Sequence, residues 1–128
     1  MSQLDYFERK LDDKHRLTIP ADVQAEFDDG EVVITPGFGQ YLHMYSKRVW
    51  ENEMESALAG DILDERIADL NVKFRYGKQI ARLDRKQGRI TLDQHLLEHG
   101  GISDRVIAVR VGSYWRLMSP EQTKTITG

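Results

Sequence analysis

Apolar and polar positions alternate in short runs separated by turn-forming clusters, which predicts a β-rich chain with a few helices. Tyr6 to Leu11 reads as a strand, Asp12 to His15 as a polar turn, and Arg16 to Ile19 as a second strand, so the pair is expected to be a hairpin. Pro20 suits the first position of a helix running to about Phe27, and the cluster Asp28-Asp29-Gly30 ends it. Glu31 to Thr35 and Gln40 to Tyr45 are two further strands around a turn holding Pro36, Gly37 and Gly39. The same order returns as Gln79 to Leu83, Arg89 to Leu92, a short helix capped by Asp93, Arg105 to Val111 and Tyr114 to Met118. Between the two sets, Ser46 is placed to cap a helix whose Trp50, Met54, Ala57 and Leu58 share one face, with Gly60 as its stop. A second amphipathic helix carries Leu63, Ile67, Leu70 and Phe74 at spacings of four, three and four, and Gly77 ends it.

The recurrence is an internal repeat. One ungapped offset of 73 residues superposes Arg16 on Arg89, Thr18 on Thr91, Val33 on Val106, Gly39 on Gly112, Tyr41 on Tyr114 and Ser46 on Ser119. A copy of about 50 residues with four short strands buries too little surface to stand alone. The copies must therefore interlock or recruit other chains, and an intramolecular pseudo-dimer is expected. Residues 1–60 form the first copy with its C-terminal helix, 61–78 a connecting amphipathic helix, and 79–128 the second copy.

With 128 residues, 40% of them hydrophobic, the chain suffices for one ordinary domain or two very small ones. The absence of cysteine excludes disulfides, thiolate metal sites and a cysteine nucleophile. Met1 to Arg9 lacks the apolar core of a signal peptide, and no stretch approaches the ~20 apolar residues of a membrane span, so a cytoplasmic location with no membrane partner is expected. A net charge of −3 argues mildly against nucleic acid, but its distribution changes the picture. Lys73, Arg75, Lys78, Arg82, Arg85, Lys86 and Arg89 form a strip interrupted only by Asp84, whereas Glu51 to Asp69 is dominated by acids. Such a strip is either a solvated polar face or a phosphate-binding one.

The segment Leu11-Asp12-Asp13-Lys14-His15-Arg16-Leu17-Thr18-Ile19-Pro20 carries the most chemistry. Asp12 precedes Arg16 by four residues across a tight turn, a spacing that lets the carboxylate hold the guanidinium in one orientation. A guanidinium so held matches the O6 and N7 acceptors of guanine. Lys14 at the tip would reach a phosphate, and a protonated His15 would add charge there. An ordinary hairpin salt bridge is the other reading of these residues.

These residues resemble the signature of the SpoVT/AbrB-like swapped-hairpin fold. Two such signatures in a chain of this length resemble the MraZ family of transcriptional regulators, the second being Leu83-Asp84-Arg85-Lys86-Gln87-Gly88-Arg89-Ile90. Tyr45 followed by Trp50 also matches that family's pattern. The resemblance spans nearly the whole chain. It implies an α+β, β-rich fold in which two tandem swapped-hairpin units form an intramolecular pseudo-dimeric β-barrel with short helices. It further implies a homo-oligomeric closed ring that binds short direct repeats in double-stranded promoter DNA, upstream of the division and cell-wall gene cluster, in association with the nucleoid. Carried over by position, it implicates Asp12, Lys14 and Arg16 in the first motif and Lys86 and Arg89 in the second; His15 at the turn tip and Arg85 in the basic strip complete the expected DNA-binding set. It implies no enzyme activity, cofactor or small-molecule substrate.

The second motif departs from the pattern. Four residues before Arg89 stands Arg85 where the acid belongs, and Asp84 lies one place earlier. Because side chains alternate along a strand, this slip is expected to turn Asp84 away unless a bulge restores it, leaving Arg89 unclamped and repelled by Arg85. His15 stands where the second copy has Gly88, at a turn position that calls for positive φ. His95 and His99 have the spacing of two metal ligands on a helix but no evident third, so a metal-dependent hydrolase has only that spacing in its favour. Tyr41, Tyr114 and Trp115 are expected to pack in the core or between the copies. The alternative to a DNA-binding regulator is a protein-interaction or antitoxin-like module on the same fold.

Overall fold

The computed structural model describes residues 4–61 and 63–128; Met1, Ser2 and Gln3, part of the polar stretch discussed above, lie outside the described residues. In the first copy β1 (Tyr6–Lys10) and β2 (Arg16–Thr18) precede α1 (Ala21–Gln24), which tightens into a 3-10 turn (Ala25–Phe27) before β3 (Glu31–Pro36) and β4 (Leu42–Ser46). The middle of the chain holds α2 (Lys47–Val49), a π-helical segment (Trp50–Met54), α3 (Glu55–Leu58) and α4 (Glu65–Tyr76). The second copy supplies β5 (Gln79–Arg82), β6 (Arg89–Thr91), α5 (Gln94–Gly100), β7 (Arg105–Val111), β8 (Tyr114–Met118) and α6 (Pro120–Thr127).

β3 pairs with β4 and β7 with β8 inside their own copies, but β1 and β2 do not form the hairpin pair expected of them, and β5 and β6 share only the Asp84–Arg89 bridge. β1 pairs with β7, β5 with β3, and β2 with β6, all antiparallel. The reason lies in side-chain burial. A three-residue β2 offers β1 too little surface to cover Phe7, whereas against β7 and β8 the Phe7 ring is 5% exposed and lies 5.2 Å from that of Trp115. One six-stranded sheet results, in the order β1-β7-β8-β4-β3-β5, which reads the same from either end when the copies are exchanged. Its central register is built on equivalent residues: His43 faces Arg116 across β4 and β8, as Leu17 faces Ile90 across β2 and β6. Among the described residues the pairing gives an open six-stranded sheet with a separate two-stranded ladder, in place of the closed barrel expected.

The repeat is not quite as uniform as a single offset. Leu11 donates to the Asp104 carbonyl and Leu83 to that of Gly30, equivalent bonds whose residues are shifted one place from the common spacing. Turns absorb the difference, so the strand faces are preserved.

One core cluster takes residues from both copies, including Phe7, Leu17, Phe27, Ile90, Leu96 and Trp115. A smaller one on Val33, Tyr45, Trp50, Leu58 and Phe74 lies beneath the middle helices. Ser46 caps α2 as expected, its hydroxyl accepting from the Val49 amide at 3.1 Å. Two expected core positions are not core: Ala57 is exposed, and Leu63 is 89% exposed because Asp64 caps α4 one residue after it. Helix α6 was not anticipated. Ser119 caps it at 3.0 Å with Pro120 behind, so the alignment of Ser46 on Ser119 marks the same N-cap in both copies.

Candidate nucleic-acid interface

The β2–β6 ladder carries the candidate site. Leu17 and Ile90 at its centre point into the core and are at most 1% exposed, each contributing about 1.5–3 kcal/mol of burial. Alternation therefore sends Arg16, Thr18, Arg89 and Thr91 to the opposite face. Arg16 faces Thr91 and Arg89 faces Thr18, so the two arginines are diagonal neighbours on one surface.

The first turn is closed by its aspartate. Asp12 Oδ1 accepts from the amides of Lys14 and Arg16, each at 2.9 Å, while Oδ2 accepts from Arg16 Nε at 2.5 Å. The His15 amide donates to the Asp12 carbonyl at 3.0 Å, and His15 takes φ of +58°, the positive value anticipated for this position. Partial desolvation pushes the Asp12 carboxyl upward, but the bonds from Arg16 and Lys14 outweigh it and hold its pKa at about 2. The carboxylate is thus charged throughout the physiological range.

The second turn repeats this plan with one more residue. Asp84 Oδ1 accepts from the Lys86 amide at 2.9 Å, and the Asp84 carbonyl accepts from Gly88, the residue with φ of +68°. That bond spans four residues where the first turn spans three, so the extra residue sits in the loop and not in the strand. Asp84 consequently forms an antiparallel bridge with Arg89, and its Oδ2 lies 3.5 Å from Arg89 Nη2. The expectation that Asp84 turns away and leaves Arg89 unclamped is corrected by this geometry. The bond from the Lys86 amide, then the nearby Arg89 charge, hold the Asp84 carboxyl below its usual range.

Arg85 does not face Arg89 as a repelling charge. Its Nη2 donates to the carbonyls of Asp28 at 2.5 Å and Phe27 at 3.3 Å, tying the second turn to the end of the first copy's helix. Gln24 supports the same turn: its amide donates to the Ile19 carbonyl at 2.8 Å and packs against Gly88. Lys14, His15 and Lys86 are exposed at the two tips. The rest of the basic strip is divided. Arg75 forms a two-point pair with Glu55 at 2.6 and 3.2 Å, and Lys78 lies over the Trp50 ring.

The structure also brings together groups that local reasoning missed. Arg89 Nη1 lies 3.7 Å from Asp12 Oδ2, so a carboxylate of the first copy reaches the arginine of the second. No local signal marks this contact, because it depends on the register of β2 against β6. His95 and His99 donate from Nε2 to the carbonyls of Gly77 and Gly39 at 3.1 and 3.0 Å, in different parts of the fold. Among the described residues no group of three or more His, Asp or Glu is placed to hold a metal. Trp115 is buried and donates to Glu26, while Tyr41 and Tyr114 pack around His43.

Fold and site together define a mixed α+β protein with a large antiparallel sheet that presents two aspartate-held arginines on the β2–β6 ladder. The profile of the family described as "MraZ protein, putative antitoxin-like" matches residues 5–65. Proteins named transcriptional regulator MraZ are similar over most of the chain. That of Roseiflexus sp. strain RS-1 is 31% identical over 96% of this chain and 85% of its own; that of Thermomicrobium roseum is 32% identical over 92% and 82%. The Mycoplasma mobile protein is 29% identical over 94% and 82%. The chain belongs to the MraZ family.

Proposed function

We propose that this protein is a sequence-specific DNA-binding transcriptional regulator. The two copies, 1–60 and 79–128 joined by 61–78, act as an intramolecular pseudo-dimer of swapped hairpins whose two turns enter the major groove together. The observation that carries this reading is the pair of guanidinium groups on one outward face, each fixed by a carboxylate. A fixed guanidinium fork is the group best matched to the acceptor edge of guanine, and fixing it beforehand reduces the ordering cost of binding. Arg16, held by Asp12, and Arg89, held by Asp84, read base edges, and Lys14, His15 and Lys86 meet phosphates. Arg85, held by two backbone carbonyls, positions the second turn. The acidic average of the chain is no obstacle, since the phosphate-facing charge is concentrated at the tips.

One ladder engages few phosphates, so useful affinity requires several ladders side by side on repeated boxes. A homo-oligomer, as a closed ring on direct repeats upstream of the division and cell-wall genes, meets that need and would act in the cytoplasm at the nucleoid. The test is a gel shift with duplex DNA taken from immediately upstream of the protein's own coding sequence, against a scrambled duplex, at increasing salt. Preference for the upstream duplex and steep weakening with salt are expected. Equal, salt-insensitive binding of both, or none, would overturn the reading in favour of a protein-interaction or antitoxin-like module.

A further inference from the structure

Among the described residues Asp12 is the only carboxylate paired with both arginines. Its Oδ2 lies 2.5 Å from Arg16 Nε and 3.7 Å from Arg89 Nη1, whereas Asp84 reaches Arg89 alone, at 3.5 Å. The four groups therefore form a chain, Arg16–Asp12–Arg89–Asp84, that crosses from one copy to the other. It is unequal despite the near symmetry of the ladder, and the cause is the longer second turn, which carries Asp84 to the far side of Arg89. We infer that Asp12 is a positioning residue for both arginines, so that the two copies read DNA as one coupled element whose setting is controlled from the first turn. This rests on the DNA-binding reading proposed above, but its structural half can be tested without DNA.

Several observations support the asymmetry. Both side chains of the Asp12–Arg16 contact are about one-third exposed or less, 31% and 29%, and Arg89 is more enclosed still at 23%. Arg89 Nε is buried with no hydrogen-bond partner among the described residues, so the orientation of that guanidinium depends on its two Nη contacts alone. Asp84 is the most exposed of the four at 41%, where water competes with its hold. The two functions of Asp12 are also divided between its oxygens. Oδ1 closes the turn on the amides of Lys14 and Arg16, and Oδ2 faces the guanidinium groups. Asp12→Asn can therefore keep the Oδ1 acceptor and the turn while removing the charge that holds both arginines.

The experiment compares the parent chain, Asp12→Asn, Asp84→Asn and Asp12→Glu. The first measurement is nitrogen–proton NMR of the arginine side chains in the DNA-free protein, with Arg16 and Arg89 assigned from Arg→Lys variants. The expected result is that Asp12→Asn speeds exchange at both Arg16 and Arg89, Asp84→Asn affects Arg89 alone, and Asp12→Glu restores part of the protection. Loss confined to Arg16 in Asp12→Asn, or loss at both arginines in Asp84→Asn, overturns the inference. The second measurement is competition between the upstream and scrambled duplexes. Discrimination is expected to fall roughly 5- to 150-fold in Asp12→Asn, the range of losing one bidentate base contact, and by a smaller factor in Asp84→Asn. The coupling is upheld if both arginines loosen in Asp12→Asn even when the parent shows no preference between duplexes; that last outcome overturns the DNA-binding reading instead. Unchanged discrimination in Asp12→Asn, with the parent discriminating and both arginines loosened, overturns the assignment of Asp12 as positioning residue for recognition.

Discussion

His43 sits at the centre of the six-stranded sheet, opposite Arg116, and is 2% exposed. Its Nδ1 meets the Tyr45 hydroxyl at 2.7 Å, and the rings of Tyr41, Phe74 and Tyr114 surround it. Burial first, and then the charges of Arg116 and Lys73, lower its pKa to about 4 from 6.5. A depressed histidine pKa means that the unfolded chain takes up the proton first, so stability is present above pH 6.5 and is lost as pH falls towards 4. Between pH 7 and 5 this amounts to about 2 kcal/mol, at 1.36 kcal/mol per pH unit. Urea unfolding at the two pH values should show that loss in the parent and a smaller one in His43→Phe; equal losses would remove His43 as the cause. At the site, Arg16→Ala and Arg89→Ala are each expected to reduce discrimination by about 1 to 3 kcal/mol, because both guanidinium groups are held. Lys86→Ala should weaken upstream and scrambled duplexes alike and lower the salt slope by about 1. A competition assay separates these patterns.

The two turns are built alike at the level of elements, yet they tolerate change differently. Both need a residue with positive φ just before the arginine, supplied by His15 in one and Gly88 in the other. His15 is exposed, whereas a Cβ at Gly88 would lie 2.1 Å from Gln24 Nε2. Gly88→Ala thus incurs the backbone cost of about 1–2 kcal/mol for a left-handed residue and displaces the Gln24 amide from its bond to the Ile19 carbonyl, and should destabilise by about that amount in urea unfolding. His15→Gly removes the same backbone cost without a conflict and should leave stability within about 1 kcal/mol of the parent. Should Gly88→Ala prove neutral, the positive φ at this position does not carry the cost assigned to it.

For the whole molecule, the exchange of strands makes neither half self-sufficient. β1 finds its partner in β7, β2 in β6 and β5 in β3, so cutting the chain after residue 78 separates each of these pairs. Peptides 1–78 and 79–128 should each be largely unfolded by circular dichroism and should regain β signal on mixing. The intact chain should unfold in a single transition, as one core cluster draws on both copies. A folded 1–78 fragment would show that the exchanged pairings are dispensable. Truncating Leu17 or Ile90 to Ala at the shared centre should cost about 2–5 kcal/mol in either case.

Much of this molecule was legible in the sequence because its cause is local. Strand alternation, the cap at Ser46, the turn aspartates and the positive-φ position at His15 and Gly88 depend on residues within a few places of one another. The duplication and the arginine motifs follow from spacing alone. What the tertiary structure decided depends on which distant segments meet. Local alternation predicted that Asp84 turns from Arg89, but the loop absorbed the extra residue because the strand faces were already fixed by the buried Leu83 and Ile90. Arg85 became a tie to Phe27 and Asp28, Asp12 came within reach of the other copy's arginine, and His43 was enclosed at the sheet centre. Each is set by strand register between the copies, and register is chosen by the common burial of apolar faces over the whole sheet, a quantity that no short stretch of sequence contains.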